Sequence, residues 1–142
     1  MFPGMRHQEA LKAAALARAP YDLDRALALA PEAEPEWSPH SVRDGVLRAA
    51  AHASPPDRAV ELIERMAGGR TAVAAEVAGR AAPTERERLL ALAERHADDG
   101  ALDERIDGLA ALVAASHRID AGRAARAAAR VLALATSPGV VL

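Results

Sequence analysis

The chain contains no cysteine. That excludes disulfides, a thiolate nucleophile and any cysteine metal site. Aromatic residues make up 2% of its 142 residues: Phe2, Tyr21 and Trp37. β-Branched residues are also few, so the residue types that favour strands are under-represented. No apolar run approaches the ~18 residues of a membrane span, and the start, Met-Phe-Pro-Gly-Met-Arg-His, has no basic region followed by an apolar stretch, so no signal peptide is read. Lysine occurs once, as Lys12, and arginine carries the other positive charges. With the alanine excess, this suggests a GC-rich, bacterial genome. The net charge is −2, which argues against a dedicated nucleic-acid binder. These absences leave a cytoplasmic protein with no membrane partner as the expectation.

What remains is alanine, leucine, arginine and glutamate, all strong helix formers. Alanine removes little apolar surface per side chain, so alanine-lined helices must approach closely to be stable. Caps and breakers mark eight helices. The first spans about Met5 to Ala19, stopped by Pro20. Asp22 caps a second, ended by Pro31. An acidic, proline-rich connector follows over about 31–37. Ser38 caps a third helix, with Pro39 at its first position, running to about Ala53. Ser54 and Asp57 form the start of a fourth, ended by Gly68 and Gly69. Thr71 caps a fifth, which closes before Pro83. Thr84 and Glu87 make a capping box for a sixth, ending near Asp98, Asp99 and Gly100. A seventh covers about Leu102 to His117, and Asp120 caps an eighth that reaches Ala135. A tail over about 136–142 ends in Val140-Val141-Leu142.

Apolar residues recur at helical spacing: Val60, Ile63, Met66 and Ala67; Leu102, Ile106, Leu109 and Val113; Ala124, Ala128, Val131, Leu132 and Ala135. Each set predicts one buried face. Short loops predict antiparallel neighbours. Asp24-Arg25-Ala26-Leu27 is echoed by Asp57-Arg58-Ala59-Val60, and more weakly around Arg88 and Arg123. The arginines are separated by 33, 30 and 35 residues, a spacing that suits a helical-hairpin repeat. The expectation is a single all-α domain over 1–142 with about four antiparallel hairpins.

From His40 to Met66 the chain resembles tetratricopeptide-type or HEAT-type repeats. Val46, Leu47 and Ala50 stand where the first helix of such a hairpin packs inward. Ser54-Pro55-Pro56-Asp57-Arg58-Ala59 matches the turn, and Ile63 and Met66 match buried positions of the second helix. The family's large aromatic positions hold alanine or aliphatic residues here. The resemblance implies a protein-binding scaffold, stacked as a short right-handed αα-superhelix or as a compact bundle.

No pattern of reactive chemistry emerges. His52, His96 and His117 fall at helix C-termini, where they meet exposed carbonyls. No two histidines are spaced to hold zinc. Glu32, Glu34 and Glu36 read as a solvated linker, and Asp98-Asp99-Gly100 as a helix stop. Gly68-Gly69-Arg70-Thr71 lacks the lysine of a phosphate loop. No catalytic residue, metal or cofactor is expected, and the chain reads as non-enzymatic. The residues expected to meet a protein or peptide partner are Trp37, Asp44, Arg48, Arg80, Arg123, Arg126 and Arg130. Trp37 has two readings, a staple packed on Val42 or a partner anchor. Arg123, Arg126 and Arg130 share one side of the last helix, read as a solvated face or a docking patch. Their alternative role is in a nucleic-acid-associated accessory protein. Alanine-lined faces also allow a homodimer.

Overall fold

The computed structural model describes residues 3–136, with side chains from residue 7 onward. The described residues form eight helices and no strand: α1 (Pro3–Arg18), α2 (Leu23–Ala33), α3 (Ser41–Ala53), α4 (Pro56–Glu64), α5 (Arg70–Ala78), α6 (Pro83–Arg95), α7 (Leu102–Ser116) and α8 (Ala121–Ala135). The tail Val140-Val141-Leu142 lies outside them. The helices gather into two compact units, one ending at Ala67 and one beginning at Gly68.

In the first unit α1 packs on α2, α3 on α4, and α3 also meets α1 and α2. Its core is Val42, Val46, Leu47, Leu62 and Ile63 with small alanines between them. In the second unit α5 packs on α6, α7 on α8, and α7 lies against α5. Its core is Leu89, Leu90, Leu109 and Leu112 with Val73 and Val77 of α5. Consecutive helices therefore pair as hairpins, and the first helices of the two hairpins in each unit touch. Alanine makes the close approaches possible, since interiors reach crystal-like density only when ridges nest.

Several helix ends differ from their sequence expectation. Pro31 lies inside α2, which continues to Ala33. A proline in the last turn forfeits one backbone bond, and burial of Ala30 and Ala33 holds the turn together. Ser38 is not the cap of α3. Glu34 reaches over from the connector, and its carboxylate accepts from Val42 N (2.9 Å) and Arg43 N (2.7 Å). It is thus a cap for α3, not a solvated linker residue. Ser54 donates back to Ala50 O at 2.6 Å, and Pro55 and Pro56 begin α4 without a side-chain cap. That helix ends at Glu64, before the glycine pair. Gly69, at φ 76°, precedes α5, a backbone state that glycine takes without strain. Thr71 is inside the helix, where its buried hydroxyl donates to Ala93 O of α6 at 2.9 Å. The Thr84–Glu87 box does not form, because Ala82 and Pro83 start α6 and Glu87 is drawn elsewhere. Asp22 and Asp120 cap α2 and α8 as their positions predict.

Candidate interaction surface

The arginines of α8 show how side chains depart from a helix-by-helix reading. Arg123 is only 7% exposed. Its guanidinium makes two parallel bonds to the Glu87 carboxylate, at 2.9 and 2.8 Å, and its Nε donates to Glu94. Asp120 stands 3.5 Å away. Arg126 reaches the same Glu94 at 3.3 Å, and Arg130 pairs with Asp98. The expectation of a solvated arginine face is therefore overturned for Arg123, and all three arginines meet acids supplied by α6 and the turn after it. The paired forks are the strong geometry for guanidinium and carboxylate. The Arg123 bond holds the Glu87 carboxyl below its ordinary value, against partial desolvation. The bond to Glu87 first, and then Glu94, hold the arginine in its charged form against the desolvation of its own burial. The signal missed in the sequence is the pair Glu87 and Glu94, seven residues apart on α6, which converge on Arg123 of α8.

The remaining expected residues lie elsewhere. Asp44 is half-buried, and its carboxylate accepts from Ala67 N at 2.8 Å. Beside it, Arg43 donates to Arg65 O at 2.8 Å. These bonds fasten the end of α4 and the following connector to α3, a structural task within the first unit. Arg48 is exposed one turn further along α3. Arg80 is exposed in the second unit, in the turn beyond the end of α5 rather than on the helix. The histidines keep to helix ends. His52 is in the last turn of α3, His96 contacts Asp99 at 2.7 Å and His117 contacts Ala114 O at 3.1 Å.

Trp37 does not pack on Val42. It is 85% exposed, while Val42 is buried by other residues. The connector that carries it is short and constrained. Glu34 is tied to the start of α3, Pro35 and Pro39 fix two backbone torsions, and Ser38 N donates to Pro35 O at 3.1 Å. Glu32 and Glu36, five residues and one residue before it in the chain, are exposed.

One further surface went unread in the sequence. Ala110 and Val113 of α7, with Ala128, Val131 and Leu132 of α8, line an open apolar groove of about 400 Å³. The buried row of α7 is Gly108, Leu109, Leu112 and Ser116, so Leu102 and Val113 of the expected stripe fall to its flank. On α8, Ala124 and Ala127 are buried while Leu132 is 65% exposed. Both helices therefore carry an apolar flank beside their core face.

No group of three or more potential metal-ligating side chains gathers among the described residues. No helix among them is long and apolar enough to cross a membrane. The fold defines an all-α protein of paired helical hairpins. Comparison with family models, with curated proteins and with solved structures finds no match.

Proposed function

We propose that this chain is a non-enzymatic interaction module, a scaffold of helical hairpins in the manner of tetratricopeptide or HEAT repeats, which grips a protein partner through Trp37. The observation that carries the reading is the exposure of that indole on a constrained connector. An indole brings about 150–250 Å² to a contact, and tryptophan is enriched among residues that dominate binding energy. A side chain displayed on a fixed backbone loses less freedom on binding than one on a loose loop. The flanking Glu32 and Glu36 suit an apolar pocket with a basic rim. The alternative, a nucleic-acid-associated protein, needs free cations on α8. There, Arg123, Arg126 and Arg130 are matched by Glu87, Glu94 and Asp98, which favours a protein partner.

Because Trp37 is the single tryptophan, its emission reports on this position alone. The free chain is expected to emit as a hydrated indole. A partner captured from the native host, then purified and titrated in, is expected to shift that emission to the blue. Trp37→Ala bait is expected to lose the partner. Equal capture by both baits, or an unmoved emission maximum on binding, would refute the anchor.

A further inference from the structure

We infer that the apolar groove of α7 and α8 is a self-association surface, occupied by the same groove of a second copy of this chain. The inference is independent of Trp37, which lies in the other unit. Three observations carry it. First, Leu132 stands 65% exposed beside a floor of small side chains, Ala110, Val113 and Ala128. The surface thus holds both a knob and the hole to receive it, the self-complementarity that a two-fold interface needs. Two antiparallel hairpins joined in this way make a four-helix arrangement, a stable way to bury such flanks.

Second, among the described residues no charged side chain lines the groove. The arginines of α8 are turned to its other flank and held there by Glu87, Glu94 and Asp98. Within the groove itself, two copies brought face to face meet without opposing like charges. A strongly acidic or basic partner would find nothing here to pair with.

Third, the hairpin that carries the groove at its centre offers, over its whole face, the area of a weak dimer. α7 and α8 are 15 residues each, so the hairpin is about 22 Å long. With neighbouring helices ~9 Å apart its face is about 18 Å wide. Two such faces bury roughly 800 Å² in projection, and on the order of 1,000 Å² with side-chain relief, the threshold for a specific interface. An interface at that lower limit is expected to be weak, with dissociation in the micromolar range or above.

The test is sedimentation equilibrium on the full chain from about 1 µM to 1 mM, a range set to bracket that affinity. Wild type is expected to pass from monomer to dimer. Leu132→Asp is expected to raise the dissociation constant roughly 30-fold or more, since the interface would bury an unpaired charge. Ala128→Arg is expected to act in the same direction by filling the floor. Both positions lie on the open groove, so helical circular dichroism should be unchanged, and each variant checks the other. Trp37→Ala should dimerise as wild type does, which separates this inference from the anchor reading. A wild type that stays monomeric to 1 mM overturns the inference and leaves the groove to a different chain. A dimer indifferent to both groove substitutions overturns it as well, by placing the interface elsewhere.

Discussion

The turn between α1 and α2 and the turn between α7 and α8 share one backbone. In the first, Tyr21 N and Asp22 N donate to Arg18 O at 2.9 and 2.8 Å. In the second, Ile119 N and Asp120 N donate to Ser116 O at 2.9 and 2.7 Å. Asp22 (φ −147°, ψ 82°) and Asp120 (φ −145°, ψ 88°) then cap the following helix, each accepting from the backbone of an arginine three residues on. Both turns expose an apolar residue, Tyr21 or Ile119. The two arginines fare differently. Arg25 is exposed, whereas Arg123 is buried and clasped by Glu87 and Glu94. Local sequence thus sets the backbone of a turn, and a neighbouring helix decides whether the side chain it presents becomes structural.

The sharpest way to break this comparison is to truncate both arginines. Arg123→Ala leaves Glu94, which is one-third exposed, without its main partner and opens a space beside Leu112. With the carboxylates still partly hydrated, a loss of about 2 kcal/mol is expected. Arg25→Ala should change stability by less than about 0.5 kcal/mol. Urea unfolding of the two variants measures both. Equal effects would mean that the clasp contributes nothing beyond an exposed ion pair. Arg123→Lys should recover only part of the loss, because an ammonium cannot make the paired fork.

A second comparison concerns how the first helices of the hairpins meet. Each unit places a glycine there. A Cβ on Gly45 of α3 would come within 3.2 Å of Leu16 Cδ2, the end of a flexible side chain on α1. A Cβ on Gly108 of α7 would come within 3.0 Å of Thr71 Cβ and 3.1 Å of its Cγ2, on α5. Thr71 cannot yield, being β-branched and bonded to Ala93 O. Replacing glycine by alanine inside a helix gains up to about 1 kcal/mol, and overpacking costs about 1–3 kcal/mol. Gly45→Ala is therefore expected to be neutral or stabilising by about 0.5 kcal/mol, within that helix gain. Gly108→Ala should destabilise by about 1 kcal/mol after the two terms are set against each other. Thermal melts followed by circular dichroism give the sign directly, and a shared sign would show that the two crossings are equally tight.

These contrasts locate what the sequence could reveal. Helix number, pairing and the caps at Asp22 and Asp120 follow from periodicity and local hydrogen bonding, which a chain displays within a few residues. Ser54, Thr71 and Thr84 have the same chemistry as a cap, yet prolines or a glycine begin those helices. The Ser54 and Thr71 hydroxyls go to Ala50 O and Ala93 O. Glu34 was hidden for a related reason, since it caps a helix starting seven residues later. Val113 and Leu132 match the apolar period, but period alone does not say how far a helix is rotated about its axis. The clasp lies further out of reach. Glu87 and Arg123 are 36 residues apart, and only the packing of α6, α7 and α8 brings them together.

The smallest expected effect tests the clasp through protons. The bond from Arg123 holds the Glu87 carboxyl below its ordinary value of 4.5. A carboxyl depressed in the folded state binds its proton more readily when unfolded, so stability rises with pH across that interval. The contribution is complete above about pH 4.5, and it disappears as pH falls through the lower folded value. Arg123 keeps its charge throughout, since the acids around it push its own titration further upward. Melting temperature measured from pH 6 to pH 3, a span chosen to cross this interval, should therefore fall more steeply for wild type than for Glu87→Gln, whose amide does not titrate. Whatever the rest of the chain contributes is common to both proteins and cancels in the difference. Since Glu87 is mostly exposed, salt should narrow the gap between the two curves. Parallel curves at low salt would mean that solvent, not Arg123, sets the charge on Glu87. The burial of Arg123 would then rest on Glu94 and packing alone.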